Sequence, residues 1–375
     1  NPLIICKIYV FQGYVLMNGK QSDAGEARAI GARPQVVAWL LVVAAMVVAM
    51  VMLGGATRLT HSGLSMVQWQ PLMGVLPPLS GEAWQETFEK YQQYPEYKKI
   101  NQGMTLPEFK GIFYYEYSHR VLGRGIGLAF AVPFLWFLLT GRIERRRRKT
   151  LLGLFLLGGL QGLIGWWMVK SGLVDRPDVS QYRLTVHLGV AFLILGALIW
   201  VVLDLLAKSA PGNAEGGDSA GVDSGALRGW AWATVLAVLL QALSGGLVAG
   251  LDAGFVYNTF PMMNEYWLPP ELGELSPWWL NMLENVVMVQ FNHRIGAYLC
   301  SLLLLWVWFK ARALDLDPPA RSALRLSMAA LVLQLALGIG TLVLLIPISL
   351  AVLHQGGALL LFAATVQLAF RLRAN

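Results

Sequence analysis

Charge, cysteine and histidine are scarce in this chain. Of its 375 residues only 14% are charged, against roughly 25% in ordinary soluble domains. With 56% of residues hydrophobic, that poverty excludes a solvated globular protein. Several apolar runs reach the roughly 20 residues a helix needs to cross a bilayer. The two cysteines, Cys6 and Cys300, form no CxxC pair and no disulfide framework. The net charge of +7 does not signal nucleic acid, because the basic residues cluster beside apolar runs, as the positive-inside rule expects. Segment 251–288 has no Lys or Arg at all.

Eight spans are expected, at about 36–56, 117–139, 151–169, 183–203, 229–249, 289–309, 324–345 and 348–370. A tight turn near Pro347 joins the last two. Basic residues set the orientation. Arg142 and the run from Arg145 to Lys149 link spans two and three, and Lys310, Arg312, Arg321 and Arg325 flank the link between spans six and seven. Arg371 and Arg373 follow span eight, and Lys20, Arg28 and Arg33 precede span one. All fall on one side, expected to be the cytoplasm, with both termini there. The first residues make a poor signal peptide, and Met17 is the expected natural start. Asp23 and Glu26 do not suit an acid-poor mitochondrial presequence. A bacterial inner membrane is therefore expected.

A Gly/Ser/Asp-rich stretch around Pro211–Asp218 reads as a flexible linker. It divides the chain into a cytoplasmic segment (1–35), a first four-helix bundle (36–205), the linker (206–228) and a second bundle (229–370). The halves repeat. Gly54-Gly55 matches Gly245-Gly246, and His61-Ser62-Gly63 matches Asp252-Ala253-Gly254. Ser118-His119-Arg120 matches Asn292-His293-Arg294, Gln161 matches Gln334, and His187 matches His354. The expected fold is an all-α integral membrane protein, its eight transmembrane helices forming two pseudo-symmetric four-helix bundles. An even number of spans per half puts the pseudo-two-fold axis along the membrane normal.

Of five histidines, four are placed by the repeat. His119, His187, His293 and His354 fall on spans two, four, six and eight, each within about two turns of the outer end. Each half thus brings two imidazoles to one depth in a bundle core, a common place for cofactors. Two imidazoles without thiolates suit a low-spin haem with both axial positions filled. Gly123, Gly127, Gly189, Gly356 and Gly357 are expected to let helices close around a flat macrocycle. Histidines that only hydrogen-bond a neighbouring helix are the bland alternative. A zinc or copper site would lack a third strong ligand in both copies. His61 reads as a solvated loop residue. Arg120, Arg124 and Arg294 are candidates for haem propionates or for snorkelling to headgroups.

Glu116 stands three residues before His119, on the same helical face. Its counterpart before His293 is Gln290. An acid paired with Arg120 four residues on is one reading. The other is that one pocket does chemistry while its partner handles electrons.

From the first span to the last, these motifs resemble the heme A synthase family, of the eight-span type. The elements are Gly54-Gly55-Ala56-Thr57-Arg58-Leu59-Thr60-His61-Ser62-Gly63-Leu64-Ser65, Glu116-Tyr117-Ser118-His119-Arg120, Phe291-Asn292-His293-Arg294 and the two later histidines. The resemblance implies oxidation of a ring methyl of haem O to the formyl group of haem A, for cytochrome oxidase. It implies His293 and His354 as axial ligands of a resident haem b, His119 and His187 as ligands of the substrate haem iron, and Glu116 as the essential acid. Heme O synthase becomes a plausible partner, and a homo-oligomer is left open. The cysteine pairs that some relatives carry in external loops have no match here. A dihaem cytochrome that only transfers electrons is the alternative, although all four histidines lie near one face. A parallel-repeat transporter would need polar groups at mid-membrane, and the spans have few.

Overall fold

The computed structural model describes residues 33–67, 76–172, 179–207 and 222–373. The expected start at Met17, Lys20, Arg28, Cys6 and most of the linker, including Pro211–Asp218, lie outside them. Among the described residues, eight helices are long and apolar enough to cross a membrane. They are α1 (Arg33–Leu59), α2 (Leu106–Leu139), α3 (Arg145–Gly172), α4 (Gln181–Ala207), α5 (Val222–Gly250), α6 (Val286–Ala311), α7 (Pro318–Val343) and α8 (Ile348–Arg371). No strand forms among the described residues; Met263 and Tyr266 make one isolated bridge. The all-helical, multi-pass architecture is thus as expected.

One boundary moved substantially. Helix α2 starts at Leu106, well before the apolar run. Thr105 and Glu108 form a capping box there, in which the Thr105 N–H donates to Glu108 Oε2 at 2.7 Å. The helix therefore emerges from the apolar layer, and its outer turns carry Phe109 and Phe113. Trp84, Phe88 and Tyr91, from the short loop helix Gly81–Gln92, pack on them. Asn101 Nδ2 donates to the Tyr91 hydroxyl at 2.7 Å. Burial pushes that phenol well above its ordinary pKa, and the Glu96 carboxylate adds to the effect. The described part of the loop between α1 and α2 is a small folded cap on the N-terminal half.

The spans sort into two rings. In α1, α4, α8 and α5 the buried share of the apolar window is 44, 44, 33 and 28%, but in α2, α3, α6 and α7 only 17, 6, 22 and 17%. Of the first four, α4 and α8 touch each other and both α1 and α5, and the second four flank them. Under the repeat, α1 corresponds to α5 and α4 to α8, so each half gives two inner and two outer helices. The inner four share one apolar core across both halves. Phe192 of α4 meets Phe362 of α8 at 5.3 Å, and both are buried. The two bundles are therefore not separately cored.

Charges mark both ends of the bundle. Near one end, Asp204 accepts from Arg146 at 3.1 Å, from Arg373 at 3.0 Å and from Arg147. Arg33 reaches Glu144 at 2.9 Å. These bonds bring together Arg33, Arg146, Arg147 and Arg373, from the ends of α1, α3 and α8, around Asp204 of α4 and Glu144. At the opposite end Arg58, closing α1, pairs with Asp252 at 3.1 Å, just past α5. His61 and Asp252 hold equivalent positions, and both are left-handed, with φ of 48° and 51°. Histidine and aspartate adopt that region more readily than most residues. The turn between α7 and α8 is also left-handed, at Leu345 and Ile346, with φ of 61° and 57°.

Candidate functional site

The four histidines occupy one repeated setting. His187 and His354 each stand six residues into their helix, from Gln181 and Ile348. His293 is seven residues into α6. His119 is thirteen into α2 only because α2 starts so far out. Each ring packs against a glycine of the preceding span. A Cβ on Gly54 would stand 3.0 Å from His119 Nε2, and one on Gly165 3.1 Å from His187 Cε1. On Gly245 it would stand 3.2 Å from His293 Cε1, and on Gly338 2.7 Å from His354 Cε1. Distances under about 3.4 Å leave no room for a methyl between ring and backbone. Glycine at these four places lets two helices close on an imidazole.

These are not the glycines expected from the sequence. Gly189 takes the Leu243 side chain, Gly356 that of Met52, Gly357 the Gln334 amide and Gly123 the Met50 methyl. Nothing lies within 4 Å of a Cβ at Gly127. Glycines near a histidine in its own helix face neighbouring helices, because a ring meets the span beside it. Gly54 and Gly245 were visible as a repeated pair. Gly165 and Gly338 could have been found by their common spacing of four residues after Gln161 and Gln334.

The two glutamines bridge helices as expected. Gln161 Nε2 donates to the His187 carbonyl at 2.9 Å, and the Gln334 amide fills the place of a Gly357 Cβ. The Nδ1 atoms of His187 and His354 are buried without a protein partner, and buried ring nitrogens rarely stay unsatisfied. In the C-terminal half the His293 and His354 rings face each other, with centroids 6.5 Å apart and planes at 86°. That separation is of the size two imidazoles would need to bind one iron between them, with metal–nitrogen bonds of about 2 Å. Ser244 Oγ lies 3.2 Å from His293 Nδ1, which leaves Nε2 as the ligating atom. Among the described residues no three of His, Cys, Asp or Glu gather as a bare-metal site. The donor set thus fits a macrocycle that brings its own equatorial ligands and takes two imidazoles.

Glu116 is buried and fully engaged. Its Oε2 accepts from Ser65 Oγ at 2.8 Å and from the Met66 N–H at 2.6 Å. Its Oε1 accepts from Arg120 Nε at 3.0 Å and Nη2 at 2.5 Å. The paired reading is therefore the geometry observed, with the loop after α1 pinned as well. Ser65 and Met66 were not picked out by sequence reasoning. Arg120 Nη2 also donates to the Met66 carbonyl at 2.9 Å.

The C-terminal half repeats this clamp with one part changed. Tyr257 holds the place of Met66, and Arg294 Nη2 donates to its carbonyl at 2.8 Å. Gln290, equally buried, donates to that carbonyl too, at 2.9 Å. Gln290 Oε1 and Arg294 Nε are left without a hydrogen bond, whereas Glu116 and Arg120 satisfy each other. Arg120 and Arg294 both spend donors on loop carbonyls. Arg124 is half-buried one turn deeper, and His61 is exposed.

Fold and site together define a polytopic membrane protein with two internally repeated bis-imidazole settings, one of which carries a buried acid. Residues 37–366 match the family described as cytochrome oxidase assembly protein, COX15-CtaA. A heme A synthase of Nitrosospira multiformis is 52% identical over 338 residues, which is 89% of this chain and 92% of that protein. One of Paramagnetospirillum magneticum is 50% identical over 333 residues, 88% of this chain and 92% of its own length. One of Nitrosomonas eutropha is 47% identical over 328 residues, covering 88% and 91%. The chain belongs to the cytochrome oxidase assembly protein family.

Proposed function

We propose that the chain is a heme A synthase, an oxidoreductase that converts a ring methyl of haem O into the formyl group of haem A. The observation that carries this reading is the asymmetry at one helical position. A buried carboxylate precedes His119 by one turn, and an amide precedes His293. Names and identities of the relatives support the same activity.

In this reading His293 and His354 hold a resident haem b. His119 and His187 hold the substrate haem. Residues 36–205 form the substrate half and residues 229–370 the haem b half. The protein sits in a bacterial inner membrane, both termini and the linker (206–228) in the cytoplasm, and takes haem O supplied by a heme O synthase. A haem b held by His293 and His354 would supply one-electron redox chemistry there.

The residues of this chain do the rest. Methyl plus one water becomes alcohol with loss of two electrons and two protons; a second round gives the hydrated aldehyde, which loses water. Glu116 accepts protons from the methyl carbon or stabilises the positive charge developing there. To do so it must loosen one of its bonds to Ser65, Met66 or Arg120. Arg120 keeps the carboxylate aimed through its two donors, and the described part of the first loop covers it, so that it is buried.

The test is pigment analysis. The protein is produced in a host that makes haem O but no haem A, and the extracted haems are separated by chromatography. Haem A or its alcohol intermediate is the expected product. A protein carrying haem b over unchanged haem O would instead be an electron-transfer cytochrome.

A further inference from the structure

His293 is held in a way that His119 is not. His293 Nδ1 lies 3.2 Å from Ser244 Oγ and 3.1 Å from the amide nitrogen of Gln241. The same amide donates to the His293 carbonyl at 2.8 Å. Both partners come from α5, in the turn that ends at Gly245. Gln241 is seated by Gly296 of α6, where a Cβ would stand 2.1 Å from its Oε1.

Aligning Gly54-Gly55 with Gly245-Gly246 puts Met50 at the place of Gln241 and Leu53 at that of Ser244. Leucine cannot hydrogen-bond a ring, and a thioether is a weak acceptor. The Met50 methyl packs instead toward Gly123, whose Cβ would stand 3.2 Å from it. The rings also turn different edges to their glycines. Gly54 faces Nε2 of His119, whereas Gly245 faces Cε1 of His293.

We infer that Ser244, together with Gln241 on the His293 backbone, is a positioning residue that makes His293 a permanent axial ligand, and that Leu53 and Met50 leave His119 a releasable one. The inference rests on the haem b assignment above. With Nε2 given to iron, the neutral imidazole would keep its proton on Nδ1 and donate it to Ser244 Oγ, while the Gln241 amide holds the same residue by donating to the His293 carbonyl rather than to the ring. Such a bond fixes the tautomer and ring angle and raises ligand basicity. A more basic ligand favours ferric iron and lowers the potential. A haem that must arrive as substrate and leave as product gains nothing from being held so. One that stays for every turnover does.

The test uses the full chain purified with its resident haem. Ser244→Ala should raise the haem b midpoint potential and speed haem transfer to excess apomyoglobin by about tenfold or more, the usual scale for losing such a partner. Ser244→Thr, which keeps a hydroxyl, should return both values toward wild type. Gln241→Met, which copies the other half, should move both in the direction of Ser244→Ala. Wild-type potential and transfer rate in Ser244→Ala and Gln241→Met would overturn the positioning role and leave the haem b reading intact. A His293→Ala protein that keeps the full haem b spectrum would overturn the reading underneath.

Discussion

His119 and His293 stand at the same place in two copies of one arrangement, and their surroundings differ by a few atoms. Before His119 the helix presents a carboxylate that accepts a loop N–H, a serine hydroxyl and an arginine. Before His293 it presents an amide that donates to a loop carbonyl. At both places a clamp ties the loop that follows α1 or α5 to the helix that carries the histidine. Only one clamp is built with an ionisable group. Duplication fixes the frame, and the chemistry follows from which polarity of clamp each copy uses.

The comparison breaks most sharply at Glu116. Removing one partner of a buried ion pair costs about 3–5 kcal/mol, so Glu116→Ala confounds stability with catalysis. Glu116→Gln keeps the shape and is the cleaner variant. It should abolish haem A in the haem O host while the haem b spectrum persists; loss of that spectrum would make Glu116 structural.

Crowding the histidines should come next. Gly338→Ala puts a methyl 2.7 Å from His354, closer than at Gly54, Gly165 or Gly245. Overpacking of this kind costs about 1–3 kcal/mol. Thermal unfolding of the purified protein should show the largest loss for Gly338→Ala of the four alanine variants, together with a perturbed haem b band.

Changing the second clamp into the first should also fail. Gln290→Glu would offer Arg294 Nε a partner, yet it would set a carboxylate against the Tyr257 carbonyl, where the amide now donates at 2.9 Å. The carbonyl would keep Arg294 as its donor but lose the amide and face a carboxylate oxygen; losing one such hydrogen bond costs about 0.5–1.5 kcal/mol. A lowered melting temperature without gain of activity is expected; a stabilised variant would show that the clamps are interchangeable.

The smallest effect belongs to Arg58→Ala. Its pair with Asp252 ties the two halves at the end opposite Asp204, but the Asp252 side chain is 49% exposed. Such pairs contribute about 0–1 kcal/mol, so melting should shift slightly and product yield should not.

Much of this was legible in the chain. Hydrophobic runs long enough to span a bilayer fix helices, since no other open structure satisfies its backbone there. The repeat fixed which histidines correspond, and the Lys and Arg clusters foretold that one end would be basic. Glu116 and Arg120, four residues apart on one helix, were readable as a pair because local periodicity alone brings them together.

Tertiary structure decided what depends on partners far away in sequence. That α1, α4, α5 and α8 form a single inner core follows from packing between halves, which no local pattern encodes. Likewise the glycines that admit the imidazoles lie on neighbouring spans, the loop atoms that engage Glu116 lie some fifty residues before it, and Ser244 lies 49 residues before His293. A hydrogen bond needs its two atoms within about 3 Å. Helical spacing fixes such distances along one segment, and only the folded bundle fixes them between segments.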